Sequence, residues 1–459
     1  MSAPQLEVLM SGVTAGHVTR PAAPGGPWVF TYDDTYASEP SAVPMSLSMP
    51  LQQRRFADAR VRGWMAGLLP GHSRVLKHWA AKHAAASIEP FDLLATKIGL
   101  ECAGAVQFCD PETTADELGS GGVDWLTSAQ TEEMVTEMVG HAMLWGRQLR
   151  RSAFSLAGAF AKTALYRDDS SPRRWGEPHG SHPSTHILKV PMPDQPEQAI
   201  NEHLCLTTAR YAGLDTAATE LQTWASHTVV IVKRFDRIRG PDGMLRRVHQ
   251  EDLHQAAGDY EAPIYQGSDN AGHDPATLAR LLQQHSTEPS RDIATFFDAL
   301  AFNWLICNTD AHAKNYSILL GPNTARLAPL YDIWSIMAED PHHHESWALA
   351  MSALEDHRIL AAHSAQAWRT TAAAVGLNPS EGVERVERIT RAIPDALERA
   401  VDELDPAHRA TGVVAALSSM VPTRTTRCLS ALADSAAAAE PHPPECPGVV
   451  PSRGVTETA

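Results

Sequence analysis

The chain has 459 residues, 43% of them apolar, enough for two to four domains with cores of their own. A formal net charge of −16 argues against a broad nucleic-acid-binding face, so any DNA contact is expected to run through a partner. Six cysteines without C-x-x-C spacing argue against a zinc site or a disulfide framework, and residues 1–16 lack the basic and apolar segments of a signal peptide. No apolar run reaches about 18 residues, so the expectation is a cytoplasmic chain without a membrane span.

Residues 1–110 read as a small domain. Leu6, Val8 and Met10 alternate with polar neighbours, Gly12 turns the chain, Val13 to Val18 returns, and Val29–Tyr32 adds a strand. Helical stretches follow at Trp64–Leu69 and Ser73–His83. Ser46–Leu51 and Gly99–Val106 read as packing and turn chemistry. Residues 111–127 form an acidic, Gly-rich connection. A helix from Ser128 to Leu149 then leads to the small-residue loop Arg151–Thr163. That loop can lay backbone N–H groups along phosphates, or it can be a plain β-turn; it is not a Walker loop.

Ser170–Ser184 is a Pro/Gly/His-rich excursion. In the following strand, Thr185–Pro191, Lys189 lies opposite Leu188 and Val190, and a lysine in an apolar strand needs a partner. Glu202 lies on the inward face of the next helix, Glu197–Ala212, which Gly213 ends. Val229–Arg237 reads as a buried strand ending in a polar linker.

Asp292–Cys307 is apolar nearly all round (Phe296, Phe297, Phe302, Trp304), so the helix is buried and holds the loop after it rigidly. That loop carries Asp310 and, five positions on, Asn315. Protein kinases place a proton-accepting Asp and a metal-binding Asn at this spacing. Two strands follow, Ile318–Leu320 and Arg326–Tyr331, around a turn at Gly321–Asn323, and Asp332 ends the second. From these residues alone, a buried helix with a polar hairpin and solvated acids remains an equal alternative. His342-His343-His344-Glu345 reads as a surface loop, since adjacent histidines point to opposite sides. Ser352–Leu432 is helical with periodic apolar positions (Val383, Val386, Ile389, Ile393, Leu397), and 433–459 reads as a disordered, Pro-rich tail.

The ordered set resembles the HipA family, bacterial serine/threonine kinases of type II toxin–antitoxin modules. The resemblance is carried by S-L-A-G-A-x-x-K-T-A-L (155–165), P-S-T-H-I-L-K (183–189), N-E-H-L (201–204), K-R-F-D-R (233–237) and H-Q-E-D-L (249–253). It continues through N-T-D-A-H-A-K-N (308–315) and L-A-P-L-Y-D-I-W-S (327–335), with M-S-L-S-M-P-L and E-C-A-G-A-V near the start. It implies an α+β, two-lobed protein-kinase-like fold. The expected parts are an N-terminal domain (1–110), a linker (111–127), a nucleotide lobe (128–260) and a helical catalytic lobe (261–432).

By the resemblance, Asp310 is the catalytic base, Asn315 and Asp332 hold Mg2+, and Lys189 with Glu202 holds ATP phosphates. Ala157, Gly158 and Lys162 belong to the phosphate loop, and Ser155 matches an autophosphorylated serine. Lys233 and Phe235 match the hinge, while Gln250, His312 and Lys314 line the site. The family commonly has Gln-Glu where this chain has Phe160-Ala161, and Glu where it has Lys233. Implied partners are a protein substrate, such as an aminoacyl-tRNA synthetase, and a helix-turn-helix antitoxin of HipB type that would supply the DNA contact. Alternatives are a small-molecule kinase and an ATP-binding corepressor.

Overall fold

Alternating apolar residues build the first sheet, in the order β4-β3-β2-β1-β5, from β1 (Gln5–Met10), β2 (Val13–Thr19), β3 (Val29–Tyr32), β4 (Arg55–Ala57) and β5 (Val106–Cys109). The β1–β2 turn needs Ser11 and Gly12 at positive φ, 53° and 82°, the geometry of a tight hairpin turn. The computed structural model describes residues 4–437, apart from 22–25, 58, 113–120, 142–153, 159, 169, 172, 261, 267–271, 343, 345–346, 354–359 and 361–362. Residues 142–149 of the helix expected to reach Leu149, residues 113–120 of the acidic connection and the tail beyond 437 thus lie outside the described residues.

The second sheet runs β10-β11-β9-β7-β8-β6: β6 (Gly122–Trp125), β7 (Lys162–Arg167), β8 (Trp175–His179), β9 (His186–Lys189), β10 (Thr219–Trp224) and β11 (His227–Lys233). Two of these correct the sequence reading. β6 lies in the segment read as a connection and β8 in the Pro/Gly/His excursion; they pair with each other at the sheet edge. Short strands containing Gly or Pro carry little periodic signal. On the inner strands Lys162 stands directly opposite Lys189, which puts two ammonium-bearing residues side by side.

A third sheet joins β14 (His249–Asp252), β15 (Ser317–Gly321) and β16 (Thr324–Leu327). The second strand of the hairpin is earlier and shorter than expected. It ends at Leu327, because Pro329 has no N–H to continue the ladder. The chain then crosses to residues 215–217, where Leu330 exchanges backbone hydrogen bonds with Asp215 and Ala217 at 2.9 and 2.8 Å.

Two apolar cores organise the molecule. One fuses the first sheet, the helices Ala59–Gly67 and Ser73–His83, and one face of the second sheet. The other gathers the helices Pro289–Leu305, Ala365–Ala374, Pro379–Glu403 and Gly412–Ala437, together with the helix Gln198–Tyr211. Pro289–Leu305 starts with Pro at its first position and buries Phe296, Phe297, Phe302 and Trp304 completely or nearly so. Its Asp292 carboxylate takes a 3.0 Å bond from Arg326, 2.6 Å from the Ser286 hydroxyl and 2.9 Å from the Leu327 amide. That contact pins the helix to the hairpin and fixes the loop between them.

Candidate active site

The loop after helix Pro289–Leu305 is shaped by its own polar side chains. Cys307, at φ +57°, reverses the chain, and the Asn308 amide is locked by Asn303, itself bonded to the Tyr316 hydroxyl. Asn308 Oδ1 then receives the Asp310 backbone N–H at 3.1 Å. The Asp310 carbonyl takes the His312 N–H at 2.8 Å and Asn315 Nδ2 at 2.7 Å. With its nitrogen spent on that carbonyl, Asn315 keeps its amide oxygen as a donor to a cation.

Asp332 sits at φ +58°, a backbone state that costs a non-glycine residue about 1–3 kcal/mol and tends to occur at functional sites. Its carboxylate accepts from Lys189 Nζ at 2.7 Å, and the same ammonium donates to Glu202 at 2.6 Å. Burial works against the charge on Asp332, yet Lys189 and Lys162 overcome it and hold the carboxyl near 2. Burial likewise opposes the Lys189 charge, but Asp332 and Glu202 keep it above the ordinary lysine range. Glu202 is pushed up by burial, so of the two carboxylates it protonates first.

Lys162 reaches the same place from the adjacent strand. Its Nζ donates to the Ala157 carbonyl at 2.7 Å, and burial together with the Lys189 charge lowers it to about 8. Gly158 is required above it: φ is +119°, and a Cβ there would meet Lys162 Nζ at 2.3 Å. Lys314 Nζ lies 3.9 Å from Asp252 and 3.4 Å from the Gly67 carbonyl. Three lysines thus converge with Asp332, Glu202 and Asp310, an arrangement suited to a polyanion and a hard cation. The Asp332 carboxylate and the Asn315 amide oxygen are the kind of ligands Mg2+ takes.

The Asp310 carboxyl is perturbed as well. Burial raises it to about 6, the Tyr265 hydrogen bond opposes that, and the Asp332 charge adds to it. His312 Nε2 is 3.7 Å from the Asp310 carboxylate, and burial lowers the imidazole to about 4, so it is neutral at physiological pH.

The remaining expected residues lie at the margins. Ser155 is at the root of the loop rather than over Lys162. It is completely buried, its hydroxyl donating to the Leu68 carbonyl at 2.8 Å and its N–H to Glu101 at 2.7 Å. Lys233 is exposed at the end of β11, and half-buried Phe235 packs on Tyr331, ring centroids 5.8 Å apart, one residue from Asp332. Gln250 Nε2 donates to Asp236 at 3.0 Å, while its Oε1 is buried without a partner among the described residues. Phe160 lines a small cavity together with Lys189, Val190, Glu202 and Val230. Of the run 342–345, His343 and Glu345 lie outside the described residues. Among the described residues no group of three or more His, Cys, Asp or Glu is placed to hold a metal, and no helix is long and apolar enough to cross a membrane.

Three features escaped sequence reasoning. Tyr265, from a segment with no motif, donates its hydroxyl to Asp310 at 2.5 Å. The supposed polar linker after β11 is a buried ion cluster: Glu101 meets Arg234 at 2.9 Å and Arg237 at 3.1 Å as well as Arg247, and Asp236 meets Arg234 at 2.7 Å. The carbonyls of Gly67 and Leu68, at the end of the helix Ala59–Gly67, hold Lys314 and Ser155. The R-F-D-R string was the available signal for the cluster, since alternating charges in an otherwise apolar strand demand partners.

Residues 154–397 match the model of the HipA-like C-terminal domain, and residues 6–109 that of the HipA N-terminal domain. Over 378 residues the chain is 29% identical to the provisionally named kinase Y4mE of Sinorhizobium fredii, covering 82% of this chain and 87% of that one. Over 379 residues it is 25% identical to the serine/threonine-protein kinase toxin HipA of Shewanella oneidensis, covering 80% and 83%. A solved complex of Shewanella oneidensis HipA, HipB and operator DNA aligns with a TM-score of 0.79 at 22% identity, over 95% of this chain and 100% of that one. At that identity the likeness speaks for the fold, a two-lobed α+β kinase-like architecture. Because one family model spans more than half of its length, from the loop before Lys162 to the helices behind Asp310 and Asp332, the chain belongs to the HipA family.

Proposed function

We propose that this chain is an ATP- and Mg-dependent serine/threonine protein kinase and the toxin of a type II toxin–antitoxin module. The observation that carries the reading is the Lys189 ammonium held between Glu202 and Asp332, at 2.6 and 2.7 Å, beside the loop of Asp310 and Asn315. In this reading residues 1–110 form the leading domain, 128–260 the nucleotide lobe and 261–432 the catalytic lobe.

Magnesium, when bound, would be held by Asn315 and Asp332 and would neutralise phosphate charge. Lys189 and Lys162 bind the phosphate oxygens, and Gly158 lets the loop backbone lie against Lys162. Phe235 and the backbone at Lys233 offer an apolar face and hydrogen-bonding groups to the base, with Gln250 Oε1, His312 and Lys314 at the edge. Asp310 orients the acceptor hydroxyl and receives its proton on the carboxylate. With a carboxyl near 6 it is ionised at neutral pH and still basic enough to accept. Positioning and fixed charge therefore do most of the work.

The partner is a HipB-type antitoxin, a reading supported by the matched complex of HipA, HipB and operator DNA. The target is a translation-related protein such as an aminoacyl-tRNA synthetase. Incubating the purified chain with radiolabelled ATP and cell lysate tests the function. A labelled protein band is expected. A labelled small product points instead to a small-molecule kinase, and no label at all to a nucleotide-binding corepressor.

Ser155 is proposed as the autophosphorylation site. Its hydroxyl is spent on Leu68 in this conformation, so phosphorylation requires the loop root to leave its seat. A phosphoserine carries nearly two negative charges, which the buried seat cannot readmit, so the ATP site empties. Mass spectrometry after incubation with Mg·ATP is expected to find phosphate on Ser155 together with lost ATP binding. Full phosphorylation with undiminished binding removes the inhibitory role, and an unmodified Ser155 removes the proposal.

A further inference from the structure

Tyr265 lies in the segment joining helices Leu253–Ala257 and Pro275–His285, and it is 53% exposed. An exposed tyrosine ordinarily points to water. This one turns inward: its ring stands edge-on to His312, centroids 5.0 Å apart and planes at 85°, and its hydroxyl donates to Asp310 Oδ1 at 2.5 Å. The position is braced from the next residue. The Gln266 N–H donates to the Ala350 carbonyl at 3.0 Å, and its side-chain oxygen receives the Ser352 N–H at 2.7 Å. The other groups acting on the Asp310 carboxylate are His312, Asp332 and Lys189; among the described residues, only Tyr265 gives that carboxylate a direct side-chain hydrogen bond.

A hydroxyl donating to the base carboxylate is also the geometry an acceptor serine or threonine must adopt before giving up its proton. We propose that Tyr265 caps the acceptor site: its phenol occupies, on Asp310, the place of the hydroxyl to be phosphorylated, and transfer proceeds only to an acceptor that displaces it. The inference rests on Asp310 being the base. The cap does two things at once. It keeps the carboxylate oriented while no acceptor is present, and it denies that carboxylate to water. Without the cap, a water oxygen would attack the γ-phosphorus as the bond to the β-phosphate oxygen breaks, its proton passing to Asp310, to yield ADP and inorganic phosphate. Tyr265 is in this sense a specificity residue, since it selects acceptors that bring enough binding energy to evict it.

The test needs no knowledge of the natural acceptor. The intact chain, carrying Ser155→Ala so that phosphorylation there cannot empty the site, is incubated with Mg·ATP alone at pH 8, and sustained ADP release is measured for this parent and for Tyr265→Ala, Asp310→Asn and their combination in it. Tyr265→Ala is expected to release ADP at least roughly tenfold faster, the worth of one hydrogen bond to a charged group, with Mg·ATP affinity unchanged. The double variant is expected to lose the gain. Tyr265→Ala at or below the parent rate overturns the cap. A double variant as fast as Tyr265→Ala, or an undiminished Asp310→Asn, overturns instead the assignment of Asp310 as base. Tyr265→Phe keeps the ring on His312 without the donor. It is expected to release ADP faster than the parent, as Tyr265→Ala does, and a parental rate overturns the part assigned to the hydroxyl.

Discussion

At Asp310, burial and a hydrogen bond pull in opposite directions. Burial raises the carboxyl to about 6 from an ordinary 3.8, and the Tyr265 donor restrains it. In the proposed mechanism the ionised form is the active one, so the rate should fall about tenfold per pH unit below 6 and level off between about 6 and 8, where Lys162 begins to lose its proton. A pH profile of phosphoryl transfer, measured with buffers that do not chelate magnesium, checks this. Asp310→Asn preserves the shape and can still meet the Tyr265 hydroxyl, but it accepts no proton. Transfer should drop by roughly 10²–10⁴-fold, with ATP binding largely kept. Near-parental turnover of Asp310→Asn removes the assignment. Asp332→Ala should do the reverse and weaken Mg·ATP binding far more than folding, because alanine offers no oxygen to a hard cation. Calorimetry giving equal Mg·ATP affinity in variant and parent excludes Asp332 as a ligand.

Among elements, the helix Pro289–Leu305 carries the geometry of the site. It delivers Asn303 to the loop lock, ends where Cys307 reverses, and is clamped to the β15–β16 hairpin by Asp292. Phe297, fully buried on this helix, stands edge-on to Trp368 with centroids 5.5 Å apart. Phe297→Ala should cost about 3–5 kcal/mol through lost burial and the cavity left behind. Chemical denaturation measures it, and a loss under about 1 kcal/mol would mean that the helices repack around the gap. The small-residue loop works by the opposite principle. Gly158 carries no side chain, so that its backbone can lie against Lys162 at a φ that other residues resist.

Across the whole molecule, the Glu101 cluster joins the leading domain to the segment after β11. Glu101 accepts from Arg234, Arg237 and Arg247, and from the Ser184 hydroxyl at 2.7 Å. Burial opposes its charge, yet the three guanidinium groups hold the carboxyl near 2 instead of 4.5. A fall of that size is worth roughly 3 kcal/mol of folding stability. The group is depressed in the folded state, so the contribution is present above about pH 4.5 and is lost as pH falls through about 2. Glu101→Gln leaves three buried arginines with Asp236 as their remaining carboxylate in the cluster and should cost about 3–5 kcal/mol at neutral pH. Guanidinium chloride unfolding of parent and variant at pH 7 and pH 3 checks both claims. The gap should narrow at the lower pH, and an unchanged gap would detach the stability from the Glu101 charge.

Much of this was legible in the chain because its physical cause is local. A helix apolar on every side must be buried, so Phe296 to Trp304 announced a rigid support for whatever follows. A lysine inside an apolar strand needs a partner, and Lys189 found Glu202 on the next helix. The five-residue interval from Asp310 to Asn315 is short enough for one loop to set, and the amide of Asn315 does bond the Asp310 carbonyl. Other features had no local cause to read. Tyr265 and Asp310 are 45 residues apart, and Glu101 and Arg234 are 133 apart, so neither member of a pair marks the other in the sequence. The burial of Ser155 depends on the Leu68 carbonyl, 87 residues earlier. Periodicity and spacing record which groups must be buried or brought together within one element. Which distant group satisfies a buried charge or hydroxyl is chosen by how the elements pack, because hydrogen bonds and Coulomb attraction act on distance in space and are indifferent to distance along the chain.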